Sequence, residues 1–152
     1  MTQRVFFTLL FTVALLAAPV GAAADAGTGK QIFHLGEAPG DLPFSPAILV
    51  KGTLYISGQL AVDPSSGRFI DGSMAEQADR VIRNIEILLK KAGFTLTDVV
   101  QTTVFISDFK EFGEFNGVFR RWFPSAPPTR ATVEVAGLAR DAKIEIAAVA
   151  VK

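Results

Sequence analysis

Apolar and polar residues recur along the chain in two different periods, and the periods separate helices from strands. From Ala78 to Leu89 the apolar positions Ala78, Val81, Ile82, Ile85, Leu88 and Leu89 fall three and four apart, the spacing of one face of an α-helix. Ser73 precedes this run and Glu76 lies three residues on, the two partners of a capping box. Lys90-Lys91 suit the last turn, where the helix dipole favours cations, and Gly93 follows as the stop. A second helix is expected over 109–123, where Phe112, Phe115, Val118, Phe119 and Trp122 keep helical spacing. An aromatic stripe with that period reads first as core.

The other apolar runs are β-rich. Gln31–Leu35 predicts a short first strand. Ala47–Val50 and Thr53–Ser57 flank Lys51-Gly52 as a hairpin with a two-residue turn. Asp98–Ser107, rich in Val, Thr and Ile, predicts a buried strand; Arg130–Val135 and Lys143–Val151 predict two closing strands after the breaker Pro124–Pro128. Pro43 and Pro46 push Phe44-Ser45 into an extended path, and loop chemistry stands at Gly36–Gly40, Asp63–Gly67 and Asp71-Gly72. The order β-β-β-α-β-α-β-β, without repeats or an internal linker, predicts one α+β domain with two helices packed on one face of a mixed sheet. In the last strand Ile144, Ile146 and Ala148 alternate with Ala147, Val149 and Val151, so both faces are apolar. Helices cover one face; self-association is the economical cover for the other.

The N-terminus departs from both periods. A short start containing Arg4, an apolar run from Val5 to Ala18, the breaker Pro19 and an A-x-A pattern at Ala22–Ala24 predict a signal peptide over 1–24, cleaved before Asp25. That apolar run is short for a bilayer core, which takes about 20 residues, and no later stretch is long and apolar enough to span one. Cleavage leaves a domain of 128 residues, 25–152, with 14 basic and 15 acidic side chains, since Arg4 is the only charged residue lost. The mature protein is expected in the periplasm or outside the cell, off the membrane, with Asp25–Gly29 as a small polar lead-in.

Composition narrows the chemistry. With 15 Lys+Arg against 15 Asp+Glu the chain has no net charge, which opposes a broad nucleic-acid surface. No cysteine means no disulfide, no Cys zinc site and no thiol nucleophile, and the single His34, read as a solvated edge-strand residue, opposes a multi-His metal site or a His dyad. No phosphate-cradling glycine loop or G-x-S-x-G element is present. Two residues stand out. Arg130, after Pro127-Pro128-Thr129 at a strand start, can offer a bidentate fork to a carboxylate. Glu145 alternates with Ile144 and Ile146 and so faces the other side of the sheet; under a second subunit its carboxyl would be desolvated and its pKa raised toward proton-transfer use. On pattern alone, an ordinary surface Arg and a solvated strand Glu are the more common outcome of such a pattern.

Thr53-Leu-Tyr-Ile-Ser-Gly-Gln59, Asp98-Val-Val-Gln-Thr-Thr-Val104, Pro127-Pro-Thr-Arg-Ala-Thr-Val133 and Lys143-Ile-Glu-Ile146 together resemble the signatures of the RidA/YjgF reactive-intermediate deaminases, in order and over about Ile32–Lys152. The resemblance implies a chorismate-mutase-like fold, a homotrimer with sites between subunits, and hydrolysis of enamine or imine intermediates to 2-oxo acids and ammonia without a cofactor. It implies that Arg130 grips the substrate carboxylate and Glu145 positions or activates water. Ser57 and Gly58 match the pocket-lining S-G pair, Asn116 an Asn on the second helix, and Thr132 a position near the Arg often held by Ser or Cys. The family's G-P-Y segment is Leu42-Pro43-Phe44 here, so Phe44 keeps an aromatic wall without its hydroxyl. Ala147 stands where an acidic residue is common, and a signal peptide is unusual in this family. The alternative reading is a non-catalytic trimer that binds small carboxylates; a nuclease is opposed by the neutral charge.

Overall fold

In the computed structural model, which describes residues 23–24, 29–36 and 42–152, the capping signals act where they stand in the sequence. The Glu76 N–H donates to Ser73 Oγ at 3.3 Å and the Ser73 N–H to the Glu76 carboxylate at 2.8 Å, opening α1 (Met74–Lys91). At its end Gly93 takes φ +81° and donates to the Lys90 carbonyl, while the Phe94 N–H reaches the Leu89 carbonyl at 2.8 Å. This left-handed closure satisfies the last carbonyls and is one that a side chain at 93 would strain. α2 covers Phe112–Trp122, shorter than expected. Phe109–Glu111 is a separate 3₁₀ turn, because Asp108 Oδ1 accepts the Lys110 N–H and Glu134 Oε2 accepts the Phe109 N–H.

The strands are β1 (Ala23–Ala24), β2 (Gln31–Phe33), β3 (Ala47–Val50), β4 (Thr53–Gln59), β5 (Val99–Ile106), β6 (Thr129–Glu134) and β7 (Ile144–Val151). They form one sheet in the order β1-β2-β3-β4-β7-β5-β6. Among the described strands only β5 and β6 run parallel, joined over α2; β7 slots antiparallel between β4 and β5. The β3–β4 turn has φ +48° at Lys51 and +76° at Gly52, the pair of left-handed residues a type I′ hairpin demands. β2 stops at Phe33, short of the expected Leu35, because Lys91 Nζ donates to the His34 and Leu35 carbonyls, at 2.6 and 2.9 Å, that a longer strand would use. Pro43–Pro46, expected to be extended, runs through bends; it is pulled onto β4 where the Ser57 N–H donates to the Pro46 carbonyl. The expected leader over 1–24 lies outside the described residues except for Ala23–Ala24, whose backbone pairs with β2, and the loop signal at Pro39-Gly40 lies outside them as well.

Both helices pack on one face of the sheet. There Leu54, Ile56, Val104, Ile106, Ile144, Ile146, Ala148 and Ala150 are buried against Val81, Ile85, Leu88 and Leu89 of α1 and Phe115, Val118 and Phe119 of α2. Each large side chain so enclosed contributes about 1.5–3 kcal/mol relative to exposure. Buried amides fix the helix to its loops. Asn84 Nδ2 donates to the Leu60 and Val62 carbonyls, and Gln77 Oε1 accepts the Lys143 N–H that leads into β7. Among the described residues no helix covers the opposite face, and Tyr55, Val133 and Val151 stand exposed on its strands. No helix among the described residues is long and apolar enough to cross a membrane.

Candidate functional site

The sequence-expected residues gather into two groups. The first is built around Arg130, the second residue of β6, which pairs with Thr102 and turns toward the helices. Pro127 and Pro128 end the preceding loop, and Thr129 anchors the strand start by donating its hydroxyl to the Val100 carbonyl at 2.9 Å. The Arg130 guanidinium carbon lies 4.6, 5.2 and 5.6 Å from the ring centroids of Phe119, Phe115 and Phe112, and Nη2 donates to Asn116 Oδ1 at 3.0 Å. The aromatic stripe of α2 is therefore core, as its period says, and also the bed on which this cation rests. Burial, and then the charge of Arg120, lower the Arg130 pKa from its ordinary value. Among the described residues no carboxylate lies within ion-pair distance of it. Thr132, two residues on, shares its side of the strand. Its buried Oγ1 has no hydrogen-bond partner among the described residues.

This group opens on a cleft of about 630 Å³, walled by Phe119, Phe123, Pro127 and Pro128 and carrying Asn116, Arg120 and Arg130 as polar groups. That size, with apolar walls and a few convergent donors, suits a small-molecule site. Arg120 is the member that sequence reasoning missed. A charge at a helix end reads as solvated surface, and the available signal was its spacing four residues after Asn116 on one helix face.

The second group surrounds Glu145. Between Ile56 and Gln59, β4 carries one residue more than the facing stretch of β7, a bulge occupied by Ser57 and Gly58. The bulge lets the Glu145 side chain lie directly over Gly58: a Cβ there would sit 2.7 Å from Glu145 Cδ and 3.0 Å from Cγ. Only glycine leaves room for the carboxylate in this position. Desolvation raises the Glu145 pKa from its ordinary 4.5. The Ser57 hydroxyl is committed to structure, donating to the Ser45 carbonyl at 2.8 Å, which holds the segment bearing the exposed Phe44.

The two groups do not meet within one chain. Glu145 pairs with Phe105, and Phe105 with Val133, so Arg130 lies three residues along and two strands across from Glu145. That separates their Cα atoms by roughly 14 Å. Their side chains leave opposite faces: Arg130 stacks on α2, whereas Glu145 alternates with the core residues Ile144 and Ile146. The structure thus joins Arg130 with Asn116, and Glu145 with Gly58 and Ser57, but leaves the two sets apart. Among the described residues no cluster of three or more His, Asp or Glu side chains is placed to hold a metal ion.

The family model for endoribonuclease L-PSP matches residues 36–152. The chain is 41% identical over 124 residues to a human protein named 2-iminobutanoate/2-iminopropanoate deaminase, covering 81% of this chain and 90% of the human one. Its fold is similar to a Rid-family protein from Yersinia pestis, with TM-score 0.76, 33% identity, and coverage of 81% and 99% of the two chains. It is also similar to Escherichia coli TdcF, solved with bound serine, with TM-score 0.72, 32% identity and coverage of 80% and 97%.

Proposed function

Because the chain belongs to the endoribonuclease L-PSP family, which includes the RidA/YjgF proteins, we propose that it hydrolyses 2-imino acids to 2-oxo acids and ammonia. The observation that carries this reading is the unpaired state of both candidate groups. Arg130 is a partly buried cation facing an open cleft, and Glu145 is a carboxyl raised by desolvation, with no ion-pair partner for either among the described residues. The first asks for a carboxylate and the second for a proton.

The chemistry follows from those two demands. Arg130 holds the carboxylate of the imino acid with two donors of its fork, and the α2 rings keep the guanidinium from swinging away. Water adds to the imine carbon while Glu145 takes its proton, forming a C–O bond and moving the C=N electron pair onto nitrogen. Glu145 passes that proton to the nitrogen, giving the carbinolamine; it then takes the carbinolamine hydroxyl proton and passes it to the amine, so the C–N bond breaks and ammonia leaves as the C=O bond forms. Glu145 ends the cycle ionised, as it began. An enamine enters the same route after tautomerising to the imine. Thr132 adds an unpartnered hydroxyl beside Arg130, and Phe44 an aromatic wall.

Opposite faces of one sheet cannot serve one small substrate, so the site is completed between copies, Arg130 from one and Glu145 from the next. The exposed apolar face carrying Tyr55, Val133 and Val151 supports this assembly, and a homotrimer is the arrangement the family resemblance implies. Sedimentation of the purified protein tests it, with a single species of three chains expected. We propose further that residues 1–24 direct export to the periplasm or beyond; mass spectrometry of the protein recovered outside the cytoplasm is expected to begin at Asp25.

The activity is tested by generating the imine in place with an amino-acid oxidase and trapping survivors with semicarbazide. Less semicarbazone with the protein than without it, and no such reduction with Arg130→Ala, is the expected result. A carboxylate-binding protein without turnover is the second reading, favoured by Phe44, whose exposed ring has no hydroxyl for a ligand. Calorimetric binding of a 2-oxo acid that depends on Arg130, with no imine consumed, would select it.

A further inference from the structure

We propose that Arg120 is a specificity residue of the Arg130 cleft that receives a second carboxylate, so that the imino acids this chain favours carry an acidic side chain. The proposal rests on the imine-hydrolase reading and names its substrate class.

Asn116 and Arg120 are four residues apart on α2 and both line the cleft. Asn116 bonds the Arg130 guanidinium, so Arg120 occupies the next turn along the same wall. Two guanidiniums consequently share one cleft, close enough that the charge of Arg120 lowers the Arg130 pKa. Among the described residues neither has a carboxylate within 4.0 Å. The acidic residues of α2 and its approach are engaged elsewhere: Glu114 accepts the Ala75 N–H at 2.9 Å, Glu111 holds Lys143 at 2.7 Å and Asp108 caps the Lys110 N–H. The adjacent Arg121 acts on Asp79 instead.

A cation in the last turn of a helix complements the dipole, which accounts for a charge at this point of the sequence. It does not account for a second guanidinium on the same cleft as the first. A monoanion neutralises one of the two and leaves the other facing it. A dianion neutralises both, and the walls formed by Phe119, Phe123 and the prolines displace water that would otherwise screen the pair. A cleft of about 630 Å³ is also generous for a three-carbon imino acid and leaves length for a side chain ending in a carboxylate.

Two matched ligands separate the charge from the length. Calorimetry with 2-oxoglutarate and 2-oxopentanoate, which share a five-carbon chain, is expected to show about fivefold or more tighter binding of the dicarboxylate, a preference that shrinks with added salt. Arg120→Gln should abolish the preference and Arg120→Lys should retain part of it. In the oxidase-coupled assay the ratio of kcat/KM for the imine of a dicarboxylic amino acid to that of an uncharged one should fall by a similar factor in Arg120→Gln. Equal affinity for the two ligands, or a preference unchanged in Arg120→Gln, overturns the proposal while leaving the hydrolase reading intact. Binding that follows Arg120 without consumption of any imine keeps Arg120 as a second carboxylate site and overturns the hydrolase reading instead. Arg120 is exposed at the helix end, so a normal circular dichroism spectrum is expected for each variant.

Discussion

On its helix side β7 presents Ile144, Ile146, Ala148 and Ala150, all buried; on its other side it presents Glu145, Ala147, Val149 and Val151, all partly or fully open to solvent. The two sets are similar in composition apart from Glu145, so composition does not decide their fate. Among the described residues, two helices cover one face and none covers the other. A closed face needs exact packing and tolerates few changes. The first face makes the fold; on the proposed reading the second, an open apolar face carrying a desolvated carboxylate, makes the assembly and half of the site.

The largest expected effects strike the site itself. Arg130→Ala and Glu145→Gln should each lower kcat/KM for imine hydrolysis about a hundredfold or more, with the far-ultraviolet spectrum unchanged. A loss in only one of the two would break the pairing of the faces.

Next come the faces as structure. Leu88→Ala, in the closed core, should cost about 2–5 kcal/mol in a urea titration and leave the oligomer intact while folded. Tyr55→Asp, on the open face between Ile48 and Val149, should do the reverse, shifting sedimentation toward single chains while the fold persists. Asn84→Ala is a gentler probe of the closed side. Losing its bonds to the Leu60 and Val62 carbonyls should cost about 1–3 kcal/mol.

A smaller effect is expected at Gly58. The atom a new Cβ would strike belongs to the mobile end of Glu145, so Gly58→Ala should fold normally yet displace the carboxylate. About a tenfold fall in kcat, with little change in KM, would mark a positioning role.

The smallest expected effect is on stability against pH. The folded chain holds the Glu145 proton more tightly than the unfolded chain, whose carboxyl titrates at its ordinary 4.5. The resulting stability is fully present below that value and is lost as pH rises through the raised folded value. Glu145→Gln should flatten that part of the curve. On the proposed mechanism the same group acts as a base only when ionised, so kcat is expected to rise with pH across the same window.

Much of the fold could be read locally. The Ser73–Glu76 box, the Gly93 stop and the Lys51-Gly52 turn are chemistry between near neighbours, and each acts at its own place. Arg130 and Glu145 also stood out locally, one by its proline-rich approach and the other as a lone charge among apolar residues. What was not legible depends on residues far apart in the chain. The insertion of β7 between β4 and β5 is set by long-range pairing, and so is the relation between the faces that Arg130 and Glu145 occupy. Alternation gives the parity within a strand but not the register between strands. The bulge at Ser57–Gly58 is invisible for the same reason, since it exists only relative to β7.

The central claim is that Arg130 and Glu145 act together only across two chains, and subunit mixing tests it most directly. Arg130→Ala and Glu145→Gln chains, each inactive alone, would be co-expressed in equal amounts and their oligomers purified together. In a closed ring that draws one residue from each of two neighbours, random mixing makes about one site in four intact, so about a quarter of the wild-type rate should return. A mixture as inactive as either parent, with mixed oligomers verified by mass, would contradict it.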